Sequence, residues 1–156
     1  MRMHSSMNGF GSCIGRWAAP LALGALLAFA TATVARADEG EAGGGADQAA
    51  HGQKLFAKHC AKCHGKAGEG TKKAPPVVGK DALPLDPRPT AKVRKTQFHT
   101  AQDVAEFVAA KMPANKPGSL KPDEYYDILA FDLKANGVDV TGKKIDPQTA
   151  ATIKLH

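Results

Sequence analysis

The sequence predicts a small all-α domain, and three observations carry that expectation. Three stretches place apolar residues at helical spacing with their own start or stop signals: Gln48 to about Lys62, Thr100 to Lys111, and Pro122 to the cap at Lys134-Ala135-Asn136-Gly137. No stretch reads as a strand, and no internal repeat is present. Between the first two helices, residues 65 to 95 hold five prolines and little periodicity of any kind.

The chain of 156 residues begins with a segment of a different character. Its first 37 residues contain no Asp or Glu, while all fifteen acidic residues lie from Asp38 onward. Arg2 and Arg16 precede an apolar run from Ala18 to about Ala35, which ends on the small-x-small pattern Ala35-Arg36-Ala37. Residues 1–37 therefore read as a cleaved secretory signal peptide rather than a retained anchor, and the mature protein is expected in the periplasm without stable membrane insertion. Cys13 precedes the apolar run, where it cannot be acylated after cleavage, and leaves with the segment.

The mature chain, residues 38–156, holds 18 basic and 15 acidic side chains, a formal excess of three positive charges against +6 for the whole chain. With half the excess in the targeting segment and no recognition motif in the remainder, nucleic acid is excluded as a partner class. Residues 38–47, DEGEAGGGAD, carry no apolar side chain larger than Ala and read as a flexible leader. The domain is expected over 48–137, followed by a tail, 138–156, in which Asp146-Pro147 could start one short helix carrying Ala150, Ile153 and Leu155.

Each helix has a reason to form. In the first, Gly52, Phe56 and Cys60 share one face with Leu55 beside them, and the glycine, which costs about 1 kcal/mol relative to Ala, implies close approach by another helix. Thr100 and Asp103 are an N-cap and first-turn acid for the second, whose stripe is Val104, Phe107 and Val108. Pro113 stops that helix at Met112, because the residue before a proline is driven to extended geometry. Pro122, Asp123 and Glu124 start the third, which buries Tyr125, Ile128, Leu129 and Leu133. The long proline-rich loop between the first two helices is unusual for so small a domain and implies that it wraps something large and apolar.

Chemistry is concentrated in Cys60-Ala61-Lys62-Cys63-His64. On a helix, positions i, i+3 and i+4 share a face, so the two thiols and the imidazole point the same way. A zinc site needs about four ligands, and the mature chain has no third cysteine. A thioredoxin-like motif needs a βαβ context that is missing, and a plain disulfide explains neither the histidine nor the loop. C-x-x-C-H is the mark of covalent c-type haem attachment, with Cys60 and Cys63 forming thioethers and His64 ligating the iron.

The other side of the iron is open to few candidates. Met1, Met3 and Met7 leave with the signal peptide, so Met112 is the only methionine of the mature chain, fixed on a turn by Pro113. His/Met is the usual cytochrome c pairing, which makes Met112 the expected second ligand. His99 is the serious rival; His51 and His156 read as exposed terminal residues, and His59 adjoins the attachment run too closely to cross the haem plane. A ligating histidine donates its other N–H to a carbonyl, which Pro75 or Pro76 could offer.

These residues resemble the class I cytochromes c over roughly Gln48 to Gly137. The resemblance implies a small cytochrome c fold in which N- and C-terminal helices cross and loops wrap one haem c. Gly52 and Phe56 match the family's first-helix pattern, and Phe131 within Ala130-Phe131-Asp132-Leu133 matches the aromatic of the helix it crosses. Pro75-Pro76-Val77-Val78-Gly79 matches the segment whose proline carbonyl takes the histidine N–H, which favours Pro75, and Met112-Pro113 matches the axial segment. Where many members carry a Trp before the second helix this chain has Gln97-Phe98, so the haem propionates must find other donors, such as a Lys or Arg of residues 88–95. The stretch from Met112 to Gly137 is also similar to cytochromes associated with bacterial periplasmic dehydrogenases.

The function implied is one-electron transfer in a respiratory or dehydrogenase-linked chain, with no catalysis by this chain itself. An electron-entry subunit of a larger redox complex is the alternative, and a ligand-binding haem protein follows if Met112 does not ligate. Residues 62–95 hold nine basic side chains against three acidic ones, which suits redox protein partners with an acidic docking face. A monomer is expected.

Overall fold

Apolar stripes and capping residues organise five helices in the computed structural model, which describes residues 44–156. They are α1 Gly44–His59, α2 Ala61–His64, α3 Ala101–Lys111, α4 Pro122–Ala135 and α5 Pro147–Thr152. Among the described residues there is no strand, only an isolated antiparallel bridge between Thr100 and Lys154. The signal peptide, Cys13 and leader residues 38–43 lie outside the described residues.

The first predicted helix differs at both ends. Gly44–Asp47, expected as part of the leader, are already helical because the tail packs on this turn: a Cβ at Gly45 would overlap the carbonyl oxygens of Val140 and Lys143. Gln48 then pairs with Ile145 as a strand neighbour would, donating through Nε2 to its carbonyl at 2.8 Å and accepting its N–H at 2.7 Å. At the other end the helix breaks at Cys60 instead of continuing to Lys62. Cys60 carries φ −117° and ψ −36°, and its carbonyl accepts from both Cys63 N and His64 N at 3.0 Å, starting a new turn.

α1 and α4 cross backbone to backbone at Gly52, where a Cβ would overlap the carbonyl of Asp127. One turn further, the Phe56 and Phe131 rings meet with centroids 5.1 Å apart, tilted by 48°. Leu55, Phe56 and Ile128 form one buried cluster at this crossing. A second joins α3 and α4 to the tail through Val104, Leu129, Leu133, Val140, Ile145 and Ala150, so residues 138–156 belong to the core.

Thr100 and Asp103 form a reciprocal capping box at the start of α3, with Asp103 Oδ2 accepting Thr100 N–H at 2.7 Å and His99 N–H at 2.9 Å. Those backbone donors hold the Asp103 carboxyl below its usual range. α4 ends in a Schellman motif: Gly137 takes φ +84°, Val138 N–H reaches Leu133 O at 3.0 Å and Gly137 N–H reaches Lys134 O at 3.0 Å. Residues 65–99 contain no helix or strand.

Because a methyl group at Gly52 has no flexible neighbour to displace, Gly52→Ala should destabilise the haem-loaded protein by about 1–3 kcal/mol through separation of the two helices. Denaturant unfolding measures this, and an unchanged midpoint would contradict the close crossing.

Candidate functional site

The turn that ends α1 presents Cys60, Cys63 and His64 in series, with Cys60 half-buried and Cys63 exposed. Neither cysteine is in a disulfide. Burial, with Asp132 and Cys63 adding to it, pushes the Cys60 thiol up to about 12, so it is held as a neutral thiol. Among the described residues, no three His, Cys, Asp or Glu side chains gather as a metal-ion site.

The loop after His64 folds back on that turn. Gly70 N–H donates to His64 O at 2.6 Å, and the Thr71 hydroxyl donates to Cys63 O at 2.5 Å. Val77 and Val78 both donate their N–H groups to Gly68 O, at 2.8 and 3.0 Å. Gly68 has φ +81°, and a Cβ there would press on the Val78 side chain. The result is a short closed loop that carries Pro75 O to 2.8 Å from His64 Nδ1. A carbonyl only accepts, so Nδ1 carries the proton and Nε2 keeps the lone pair that a metal requires.

Asn136, at the C-cap of α4, holds this loop from outside. Its Nδ2 donates to Val77 O and to Asp132 O, both at 2.8 Å, and its Oδ1 accepts Gly79 N–H at 2.9 Å. The sequence marked Asn136 only as part of a helix cap. Its long-range role had no local signal.

Met112 lies on a different element, as the extended C-cap of α3, with φ −120° and ψ 153°. Its carbonyl accepts the Tyr125 hydroxyl at 3.0 Å, and the Tyr125 phenol oxygen in turn accepts Leu120 N–H at 3.4 Å. Tyr125 was legible as part of a buried stripe. That its phenol needed a partner was the available clue to its second role. Three of the rival histidines are engaged elsewhere: His51 Nδ1 lies 2.7 Å from Asp127, His99 Nε2 3.1 Å from Gln97, and His156 Nε2 2.9 Å from Leu83 O.

Arg94, counted above in the basic segment, is turned inward. Its guanidinium lies 3.5 Å from the Phe98 ring centroid and donates to Leu85 O and Thr96 O. Desolvation lowers its pKa from the ordinary range. Asp132, unremarked in the sequence reading, is only 5% exposed, and its Oδ1 has no hydrogen-bond partner. Its position four residues after Ile128, inside the apolar stripe, was the signal that could have found it.

Two unpaired thiols and an imidazole oriented to offer Nε2 fit a covalently bound haem. The crossing helices and this attachment turn define a c-type cytochrome domain. The chain belongs to the family described as cytochrome c oxidase, cbb3-type, subunit III, which matches residues 47–131.

Relatives extend the likeness. Thiosulfate dehydrogenase of Stutzerimonas stutzeri is 31% identical over 87 residues, which is 53% of this chain and 25% of that protein. Thiosulfate dehydrogenase of Psychrobacter arcticus is 33% identical over 81 residues, 52% of this chain and 24% of that one. The chain thus spans about a quarter of the length of these curated relatives. The sulfane dehydrogenase SoxCD structure from Paracoccus pantotrophus superposes with a TM-score of 0.53 at 31% identity, covering 69% of this chain and 52% of that one. The chain therefore carries a c-type cytochrome domain, of the kind that binds covalently attached haem c.

Asn136→Ala removes three hydrogen bonds and leaves Val77 O and Gly79 N–H without their partner. It should lower stability by about 1–3 kcal/mol while covalent haem incorporation persists. Thermal unfolding followed by haem absorbance checks this; a midpoint equal to the parent's would deny Asn136 its bracing role.

Proposed function

We propose that this chain is a non-catalytic one-electron carrier of the periplasm, holding a single haem through Cys60 and Cys63 with His64 and Met112 as axial ligands. The observation that carries the reading is the 2.8 Å bond from His64 Nδ1 to Pro75 O, which leaves Nε2 free beside two unpaired thiols. Haem c supplies a reversible one-electron couple at its iron.

The chain's part is to hold that couple still. Pro75 O orients the imidazole and raises its basicity as a ligand. The Tyr125 hydroxyl grips the main chain of Met112, so the thioether is offered from a braced segment rather than a free loop. With His64 and Met112 both holding the iron, no coordination site would be left for a substrate. Among the described residues no helix is long and apolar enough to cross a membrane, and the predicted signal peptide supports export to the periplasm.

Likeness to segments of thiosulfate and sulfane dehydrogenases supports partners of the dehydrogenase class. A second reading, an electron-entry subunit fixed in a larger complex, is favoured by one observation: the matched segments are parts of dehydrogenases. Recovery in one stoichiometric assembly with a dehydrogenase would support the fixed subunit, and recovery as a monomer the diffusing carrier.

Met112→Ala tests the ligand. The sulfur-to-iron charge-transfer band of the oxidised protein should disappear, and the reduced variant should bind carbon monoxide while the parent does not. Prompt carbon monoxide binding by the native parent would replace the carrier reading with a ligand-binding one.

The basic side chains of residues 62–95 predict a second outcome. Electron exchange with an acidic redox protein should slow as ionic strength rises, because the Debye length shrinks from about 10 Å at 0.1 M to about 3 Å at 1 M. Stopped-flow rates that do not change with salt would remove electrostatic steering from the mechanism.

A further inference from the structure

One buried group has no place in the function described so far. Asp132 lies on the core face of α4, between Phe131 and Leu133, and is 5% exposed. It shares a crevice with Val104, Ala105, Val108, Tyr125 and Leu129, and that crevice has no room for a water molecule. Its Oδ1 has no hydrogen-bond partner, and no ion pair reaches it among the described residues. A leucine, of the same branched shape, would bring no desolvation cost there, whereas an orphaned buried carboxyl opposes folding. Violations of this kind are expected where function requires them.

The surroundings of Asp132 define what it can sense. From α3 it faces Val104, Ala105 and Val108, none of which titrates. From its own helix it faces the Tyr125 phenol, which is engaged with Met112 O. From the turn between α1 and α2 it meets the field of Cys60, whose thiol is raised partly by the Asp132 charge. Once Cys60 is a thioether it no longer titrates, and a haem attached there would put a redox-variable charge on the side of Asp132 where Cys60 now lies. Burial alone raises the Asp132 carboxyl well above the ordinary carboxylate range.

We propose that Asp132 couples a proton to the electron: its carboxylate takes up one proton from solvent as the haem receives one electron from the redox partner, and releases it when the electron leaves. An O–H bond forms at Asp132 on reduction and breaks on oxidation, with solvent as proton source and sink. The direction follows from electrostatics in a low-dielectric crevice. The oxidised haem carries one more positive charge and favours the carboxylate, while the reduced haem favours the neutral acid. Asp132 therefore ionises at lower pH in the oxidised protein than in the reduced one. Between those two points reduction takes up a proton, and the potential falls as pH rises.

The proposal rests on haem bound at Cys60 and Cys63, and is independent of which residue is the sixth ligand. Spectroelectrochemical titration of the full-length holoprotein across the pH range in which it stays folded tests it, in the parent, Asp132→Asn and Asp132→Leu. The parent's redox equilibrium should shift by up to tenfold per pH unit, about 59 mV for one electron. Both variants should be flat, at the level the parent reaches at low pH, because neither can carry the negative charge. Asp132→Leu should also unfold at higher temperature than the parent, which keeps the test open if the buried amide of Asp132→Asn prevents folding.

Redox-difference infrared spectra supply a direct readout that a structural role would not move: a carboxylic acid C=O band gained on reduction by the parent and lost in both variants. A parent potential that does not change with pH overturns the proposal, as does a slope retained in the variants, which would assign the proton to the haem propionates. Either result, with covalent haem intact, leaves the electron-carrier reading standing. A purified protein without covalent haem would overturn both.

Discussion

The structure depends on one close approach, that of α1 to α4 at Gly52. With no side chain at that point the α1 backbone rests on the carbonyl of Asp127, and every later contact between the two helices inherits that separation. Phe56 then meets Phe131 at 5.1 Å, and the turn that follows α1 is delivered, with Cys60, to the flank of α4 near Asp132. Had the helices stood a methyl group further apart, the attachment turn would lose its fixed distance from the helix that braces it. The chain accepts the helix penalty of glycine for this, about 1 kcal/mol relative to Ala.

α4 is consequently the frame for both the Met112 segment and the loop that carries Pro75. Near its N-terminus the Tyr125 hydroxyl holds the main chain of Met112; at its C-terminus Asn136 holds the loop that carries Pro75. These residues are eleven positions apart, or about 16 Å along the axis at 1.5 Å per residue. Both grips act on backbone groups and not on the ligand side chains themselves. They fix the main chain at both places and leave the His64 imidazole Nε2 and the Met112 thioether uncommitted.

Much of this was legible in the sequence because it rests on local chemistry. The Thr100–Asp103 capping box, the Pro122 start, the Gly137 stop and the arrest of α3 at Met112 by Pro113 each depend on residues a few positions apart. Gly52 could be read as a crossing point because a mid-helix glycine requires a reason. What escaped reading depends on distant parts of the chain. The early start of α1 follows from Gly45 against Val140 and Gln48 against Ile145, contacts nearly a hundred residues apart. Asn136 looked like a cap because its three amide contacts lead to Val77, Gly79 and Asp132, two of which no local pattern could supply.

The tail illustrates why such contacts matter to the site. Val140, Ile145 and Ala150 are buried with Val104, Leu129 and Leu133, and residues 153–155 pair with the start of α3 through Ala101 N–H to Ile153 O and Leu155 N–H to His99 O. α3 is thereby pinned at its N-terminus by the tail and along its length by α4, and Met112 is its last step before Pro113. Removing the tail would release α3 from one of its two supports, so the placement of Met112 depends on residues that lie well beyond the haem motif. The attachment turn at Cys60, Cys63 and His64 is locally encoded, whereas the opposite face of the site is assembled by the whole fold. That difference explains why five residues suffice to recognise the attachment, while the Met112 side of the site has to be built from α3, α4 and the tail together.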